Sequence, residues 1–186
     1  ATIADSSNIS CFGANDGSAT VYVTGGTPPF TYLWDDPLAQ TDSTAINLLP
    51  GTYTVSVESA DSGCITFAMV TIIEPTALAA GIIKTDITCN GDSNGTADLT
   101  VTGGTIPYFY LWSNGDTSED ISGLSGGIYT VLITDTNGCT ANDTVEIYEP
   151  LLMQLFTLTT DVTCNGDSNG SANLTVLGGK IGRASC

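Results

Sequence analysis

Short stretches in which apolar and polar residues alternate recur along the chain, separated by glycine-rich turns. Residues 19–24 alternate between small apolar side chains and Thr or Tyr, and residues 97–102 and 172–176 repeat this alternation. A period of two with one apolar face is typical of an antiparallel strand that buries one side. No long stretch has the 3.6-residue period of an amphipathic helix. The pattern therefore predicts an all-β protein.

The order of these stretches predicts a particular β architecture. An alternating strand ends at two glycines, an aromatic strand follows and ends in Trp, and a later strand begins at Tyr. Six or seven such strands are typical of an immunoglobulin-like antiparallel β-sandwich, in which a tyrosine hydroxyl bonds to upstream backbone in a tyrosine corner. We expect core tryptophans and corner tyrosines at Trp34, Trp112, Tyr53 and Tyr129. A sugar-stacking platform is the alternative role of the tryptophans.

The chain repeats its own sequence. Residues 86–101 return at 161–176 with three differences, and a looser copy occupies residues 8–21. Self-similarity at a period near 75 residues indicates an array of modules. We predict tandem modules at residues 1–76 and 77–151, and a truncated third at 152–179. Residues 180–186 differ in composition, and we interpret them as a non-native tail.

Composition excludes several classes of function. The 186 residues carry a net charge of −17 with only three basic residues, which disfavours nucleic acid and anionic membranes as partners. The absence of His removes the Ser-His and Cys-His nucleophile systems. The carboxylate pairs Asp35-Asp36 and Glu119-Asp120 fall in predicted loops, where we expect solvated surface. We therefore expect no enzyme activity, no catalytic residue and no cofactor.

Six regularly spaced cysteines without a Cys-x-x-Cys pair predict disulfides and an extracellular setting. We expect the bonds Cys11–Cys64 and Cys89–Cys139. Each would close a loop of about 50 residues and stabilise the fold by roughly 3–4 kcal/mol in the chain-entropy model. Bonds between neighbouring repeats and free buried thiols are the alternatives. Cys164 is expected to have lost its partner with the truncation.

Two Asn/Asp/Gly segments resemble the opening of an EF-hand calcium loop, with oxygen-bearing side chains at positions 1, 3 and 5. Position 12, which should be Glu, is Val101 or Val176. We prefer a structural turn in which Gly17, Gly95 and Gly170 adopt positive φ. Calcium binding is the alternative, and its candidate ligands are Asn90, Asp92, Asn94, Asn165, Asp167 and Asn169.

Several motifs resemble those of the SprB-type repeat, namely Gly17-Ser-Ala-Thr-Val21, Gly51-Thr-Tyr-Thr-Val55 and Val70-Thr-Ile-Ile-Glu-Pro75. The resemblance covers residues 1–179. The family occurs in large surface and secreted proteins of Bacteroidota, including gliding-motility adhesins. It implies many copies, export by the type IX pathway and adhesive or spacer duty, and it implies no catalytic residues.

The sequence thus predicts a fragment of a tandem-repeat, cell-surface or secreted adhesin-like protein that forms a stalk and a multivalent attachment array. Its expected partners are neighbouring repeats and an unknown surface ligand or glycan, with no membrane insertion. Each module would add roughly 30–40 Å, and Ala77–Thr85 would set the stiffness between neighbours. The alternative is a carbohydrate-binding or spacer module of a secreted enzyme. Tyr22 is exposed by its alternation, but its counterpart Thr100 weakens that alternative.

Overall fold

A computed structural model describes residues 1–60 and 63–179 of the chain. Within these residues the chain forms β-strands and no helix, so no described helix could cross a membrane. The strands are β1 (Thr2–Ser7), β2 (Gly17–Tyr22), β3 (Phe30–Trp34), β4 (Thr44–Leu48), β5 (Gly51–Ser59), β6 (Ile65–Ile72), β7 (Ala79–Thr85), β8 (Gly95–Thr102), β9 (Tyr108–Trp112), β10 (Ile121–Leu124), β11 (Gly127–Asp135), β12 (Thr140–Ile147), β13 (Gln154–Thr160) and β14 (Ser171–Leu177).

The first repeat folds into two antiparallel sheets, β1-β2-β4 and β3-β5-β6. Ala19 of β2 pairs with Ala45 of β4, and Tyr32 of β3 pairs with Val57 of β5. The apolar residues of each alternating strand point to one side, and those sides meet in a shared core. The buried core residues are Ile9, Ala19, Val21, Trp34, Ala45, Leu48, Tyr53, Val55, Val57, Val70 and Ile72.

The second repeat reproduces the strand order of the first, with sheets β7-β8-β10 and β9-β11-β12. Ala97 of β8 pairs with Ile121 of β10. Aligned apolar positions are again buried, among them Ile87, Ala97, Leu99, Trp112, Val131 and Ile147. The predicted fold class of tandem immunoglobulin-like antiparallel β-sandwich modules is confirmed.

The compact units of the structure do not coincide with the sequence repeats. One unit contains residues 1–79 together with 101–109 and 133–141. The other contains residues 80–100, 110–132 and the described part of 142–186. Segments of the second repeat thus belong to the compact unit of the first. The module boundaries 1–76, 77–151 and 152–179 remain predictions about the sequence.

The third copy forms a hairpin in which β13 pairs with β14 from Gln154–Leu177 to Thr160–Ser171. Leu174 and Val176, which alternate as core residues do in the earlier copies, are exposed. No other described strand pairs with this hairpin. The predicted non-native tail at residues 180–186 lies outside the described residues.

Candidate functional site

Both tryptophans lie in the core and not on the surface. Trp34 is 1% and Trp112 is 2% exposed. Trp34 Nε1 donates a hydrogen bond to Asp42 O at 2.9 Å, and Trp112 Nε1 donates to Ser118 O at 3.0 Å. A buried indole needs such a partner for its N–H. The alternative of a sugar-stacking platform does not apply to rings in this position.

Both predicted corner tyrosines bond to backbone four residues upstream. Tyr53 Oη donates to Leu49 O at 3.1 Å, and Tyr129 Oη donates to Ser125 O at the same distance. These are the bonds expected of a tyrosine corner. Each ties the start of its strand, β5 or β11, to the turn that precedes it.

The glycines predicted to adopt positive φ do not do so, and the reason is steric. Positive φ occurs four residues earlier, at Gly13 (76°), Gly91 (87°) and Gly166 (95°). A Cβ on Gly17 would lie 2.7 Å from Ile72 Cγ2, and one on Gly95 would lie 2.7 Å from Ile147 Cγ2. Gly170 would place a Cβ 3.2 Å from Thr160 O. These positions need glycine for lack of space, not for backbone conformation.

Of the candidate calcium ligands in the second repeat, Asn94 and Asp92 form hydrogen bonds inside their own turn, and Asn90 bonds to a more distant carbonyl. Asn94 Oδ1 accepts from Thr88 N at 3.1 Å, and Asn94 Nδ2 donates to Thr88 Oγ1 at 2.6 Å. Asp92 Oδ2 accepts from Thr88 Oγ1 at 3.3 Å. Asn90 Nδ2 donates to Pro150 O at 3.0 Å. The same bonds recur in the third copy, where Asn165, Asp167 and Asn169 occupy the aligned positions and Asn169 and Asp167 bond to Thr163.

The first repeat builds this turn with a different pair of residues. Asp16 accepts hydrogen bonds from Ser10 N at 3.0 Å and from Ser10 Oγ. The bond from the Ser10 hydroxyl, followed by the bond from its backbone N–H, lowers the pKa of the Asp16 carboxyl. The turn is thus built from whichever Asx and Ser/Thr side chains the copy carries.

Three of the four carboxylates expected to be solvated, Asp35, Asp36 and Asp120, accept hydrogen bonds from backbone N–H groups. Asp36 is only 6% exposed, and its carboxylate accepts from Gln40 N at 2.9 Å and Leu38 N at 3.0 Å. Burial raises the pKa of Asp36, but the bonds from Gln40 and Leu38 outweigh it and leave the pKa lowered. Asp35 Oδ1 accepts from Thr54 N, and Asp120 Oδ1 accepts from Leu99 N. The expectation of a solvated surface is therefore wrong for Asp36.

Asp135, which is not among the residues predicted from sequence, organises the turn before the second cysteine of the second repeat. It is 2% exposed, and its carboxylate accepts from Thr105 N, Asn137 N and Cys139 N, each at 2.9 Å. The pattern Asp-x-Asn-Gly is a recognised signal for an Asx turn and could have identified it. Through its bond from Thr105 N, Asp135 connects this turn to the segment that follows Gly103-Gly104.

A disulfide between described residues joins neighbouring repeats, which is one of the alternatives stated above. Cys11 is bonded to Cys139, with the two Cα atoms 5.6 Å apart. Cys64 is a free, exposed thiol, and Cys89 is disulfide-bonded. The expected pairs Cys11–Cys64 and Cys89–Cys139 are therefore both wrong.

The length of one strand explains why the expected pairs cannot form. Cys64 directly precedes β6, whereas Cys11 lies near the other end of that strand, where Ile9 N donates to Ile73 O at 3.0 Å. Eight residues at about 3.3 Å each place these ends roughly 26 Å apart, and a disulfide needs Cα atoms within about 7 Å. In the second repeat, Gly91 N donates to Glu149 Oε1 beyond the end of β12, so Cys89 is equally remote from Cys139.

Beside the disulfide, a linker segment lies against two glycines of the second repeat. We call Gly103-Gly104, and the aligned pairs Gly25-Gly26 and Gly178-Gly179, the double-glycine turns. Gly104 N donates to Thr76 O at 2.8 Å. A Cβ on Gly103 would lie 1.9 Å from Ala77 O, and one on Gly104 would lie 2.9 Å from Leu78 Cδ1. Only glycine permits this approach.

The third copy contacts its own preceding linker in the same way. Gly179 N donates to Leu151 O at 2.8 Å, and a Cβ on Gly178 would lie 2.1 Å from Leu152 O. Glu74-Pro75 and Glu149-Pro150 directly precede these two linkers. A double-glycine turn that receives the carbonyls of a linker is thus a recurring site of this chain.

A family model for the SprB repeat matches the chain at residues 3–39, 81–117 and 157–182, which together make up more than half of its length. The chain belongs to the SprB repeat family. Each SprB match contains a first cysteine and a double-glycine turn, whereas Cys64 and Cys139 lie outside the matched segments. A search of functionally curated proteins finds no match.

Solved structures resemble the fold of these SprB repeats at low sequence identity. Three N-terminal domains of the bacteriophage RB49 Highly Immunogenic Outer Capsid protein superpose with a TM-score of 0.53 at 18% identity, over 99% of this chain and 70% of that one. The N-terminal eight Ig domains of Down Syndrome Cell Adhesion Molecule give a TM-score of 0.49 at 14% identity, over 86% and 25% of the chains. At these identities the likeness to the capsid protein shows the fold alone.

Proposed function

We propose that this chain is part of a non-catalytic, tandem-repeat protein of the cell surface or of a secreted assembly. In this proposal the repeats form a stalk and present many copies of one attachment surface. The observation that carries it is the Cys11–Cys139 bond, which joins the first repeat to the second. This bond adds a second covalent connection between neighbouring copies, beside the backbone of the linker.

The redox chemistry of this bond supports an extracellular location. Structural disulfides persist in oxidising compartments and are rare in the cytosol. The loop that the bond closes spans 128 residues, so its entropic contribution in the chain-entropy model is close to the upper end of the usual range. A chain stabilised in this way is suited to the surface or to secretion.

Repetition itself supports the attachment role. Several weak contacts on one chain bind together more tightly than any of them alone, provided that they can engage simultaneously. The net charge of −17 would keep such an array soluble and would direct it away from anionic surfaces. A ligand of neutral or basic character fits this surface best.

The test is attachment as a function of repeat number. Chains with two, four and eight repeats would be displayed on beads at equal repeat density, and their retention on host cells or glycan-coated surfaces would be measured under flow. We expect retention to rise more steeply than repeat number. Retention that is independent of repeat number would contradict the attachment role, and a Cys139→Ser array serves as control for the covalent link.

A carbohydrate-binding module remains the second candidate, and one exposed aromatic residue favours it. Tyr22 is 62% exposed at the end of β2, as its alternation predicts. A single ring on one copy gives a limited platform, because Thr100 occupies the aligned position. Specific binding of the two-repeat chain to a glycan array, lost in Tyr22→Ala, would favour this candidate over the attachment array.

A further inference from the structure

The double-glycine turn of the first repeat has the same backbone conformation as that of the second. Gly25 and Gly26 both have φ of 78°, compared with 74° and 61° at Gly103 and Gly104. In the second and third copies the turn receives a linker, through Thr76 O and Leu151 O. The first repeat therefore has the conformation that receives a linker elsewhere in the chain.

The space beside Gly25 is open, unlike that beside Gly103 and Gly178, whereas a Cβ on Gly26 would lie 3.2 Å from Phe30 Cε1 and 3.3 Å from Ser59 Oγ of the same repeat. Among the described residues, no atom lies within 4 Å of a Cβ built on Gly25, whereas the Cβ on Gly103 would overlap Ala77 O. No described residue accepts a hydrogen bond from Gly26 N, the counterpart of the bonded Gly104 N. A cavity of about 200 Å³ adjoins the turn, lined by Ala1, Gly25, Gly26, Ser59 and Cys64.

The cysteine in this cavity is the aligned counterpart of a bonded one. Cys64 and Cys139 occupy the same place, because Ser59 N donates to Cys64 O at 3.2 Å just as Asp135 N donates to Cys139 O at 2.9 Å. Cys139 is bonded to the first cysteine of the preceding repeat, while Cys64 is free and exposed. Gly25 and the free Cys64 thus line one cavity in the first repeat. The aligned residues of the second repeat, Gly103 and Cys139, contact a linker and form a disulfide.

We propose that Gly25-Gly26 and Cys64 form a docking site for another copy of the repeat. The backbone carbonyls of that copy's linker contact Gly25 and Gly26. The third residue of the linker, which is apolar in both linkers of this chain (Leu78 and Met153), enters the cavity. The first cysteine of the same copy then bonds to Cys64. The site recognises backbone carbonyls and one apolar side chain, so the linker of any copy fits it.

The covalent step requires an oxidant. The two thiols lose two protons and two electrons as the sulfur–sulfur bond forms, and a small-molecule disulfide accepts them and is reduced to two thiols. Ala1 lies where a docked linker would end. It lines the cavity and aligns with Ala79, the residue that directly follows the linker bound to Gly103-Gly104. A copy that ends at Leu78 and is joined to Ala1 would place its linker at the double-glycine turn.

The test is a tandem chain in which a further copy of residues 1–78, carrying Cys64→Ser, is joined to Ala1 of the full chain, so that the one Cys64 belongs to the full chain. All other substitutions named below are made in the full chain. The protein is refolded with oxidised and reduced glutathione, and its disulfides are mapped by mass spectrometry of proteolytic peptides. We expect a bond between Cys11 of the added copy and Cys64 of the full chain. The Cys11–Cys139 bond in the same molecules shows that the fold has formed.

A matched pair of glycine variants tests the docking itself. Gly25→Ala adds a methyl group where the linker carbonyl would lie, and Gly115→Ala adds one at a similar φ of 89° with no described atom within 4 Å. In the tandem chain we expect the bond to Cys64 to fall at least about tenfold with Gly25→Ala and to be unchanged with Gly115→Ala. The proposal is wrong if Cys64 stays a thiol while Cys11–Cys139 forms, if its bonds are intermolecular, or if both variants behave alike.

Neither result depends on what the array attaches to. A tandem chain that forms the bond but shows no repeat-dependent retention on surfaces would contradict the proposed attachment role and leave the docking site in place. A free Cys64 together with retention that rises steeply with repeat number would contradict the docking site and leave the proposed attachment role in place.

Discussion

The first and second repeats carry the same double-glycine turn in different surroundings. At Gly103 the backbone of a linker lies so close that no side chain fits, whereas Gly25 faces open space among the described residues. The nearby cysteines differ in the same way, since Cys139 is bonded and Cys64 is free. In these two repeats the occupied double-glycine turn therefore lies near a bonded cysteine, and the open turn lies near a free one.

Removing one cysteine from each repeat should give the largest difference. We expect Cys139→Ser to lower the free energy of unfolding of the oxidised chain by roughly 4–5 kcal/mol in the chain-entropy model, because a loop of 128 residues is released. Cys64→Ser should change it by less than about 0.5 kcal/mol, since Cys64 is an exposed thiol. Urea unfolding under non-reducing conditions measures both. Equal effects of the two variants would break the comparison.

Alanine substitutions at Gly103 and Gly25 distinguish the cost of a steric clash from the cost of backbone strain. Gly103→Ala and Gly25→Ala both place alanine at a φ near 75°, which costs about 1–2 kcal/mol at either position. Only the first also overlaps Ala77 O, so we expect its total loss of stability to reach roughly 3–4 kcal/mol. Chemical denaturation of the two variants side by side gives the difference. A loss at Gly103 no greater than that at Gly25 would mean that the linker moves away at little cost.

The two repeats also differ in the burial of the carboxylate that follows the tryptophan, which is Asp36 in the first repeat and Asp116 in the second. Asp36 is buried with a lowered pKa, so its stabilising effect is complete above the unfolded pKa near 3.8 and is lost as the pH falls through the folded value. We expect Asp36→Asn to lower stability by about 1–2 kcal/mol at pH 7, with the gap to the unmodified chain closing in acid. Asp116 is partly exposed and the pKa of its carboxyl is lowered by bonds from Ser118, so its replacement by Asn should give a smaller effect. Unfolding curves from pH 7 to pH 2 test both, and a gap that stays constant with pH would contradict the role given to the Asp36 carboxylate.

The Asx turns should show the smallest response. Their side chains are already bonded to Thr88 and Thr163, so we expect no shift in melting temperature when calcium replaces chelator. Differential scanning calorimetry at millimolar calcium is sufficient. A shift of several degrees that Asn94→Ala abolishes would revive the calcium hypothesis.

The fold could be predicted from sequence because its determinants are local and repeated. The alternation in residues 19–24 and the Trp34 and Tyr53 landmarks define strands, faces and a corner without knowledge of distant contacts. The family resemblance follows from the same motifs. These features depend on side-chain periodicity, which sequence displays directly.

The disulfide pairing could not be predicted, because it depends on which ends of the strands lie close together in space. Pairing Cys11 with Cys64 ignored the length of β6, and spacing alone gives no information about where a strand begins and ends in space. Turn chemistry predicts positive φ for Gly17 and Gly95, whereas packing against Ile72 and Ile147 is what requires glycine there. Charge predicts solvent exposure for Asp36, whereas its loop needs an acceptor for the N–H groups of Leu38 and Gln40.

Disulfide mapping of the oxidised, unmodified chain tests the central claim most directly. Peptides would be generated at low pH to prevent exchange and analysed before and after reduction. Among the disulfide-linked species we predict one that joins the peptide containing Cys11 to the peptide containing Cys139, with Cys64 recovered as a free thiol. A species that links Cys11 to Cys64 would contradict the account, because each repeat would then be closed on itself.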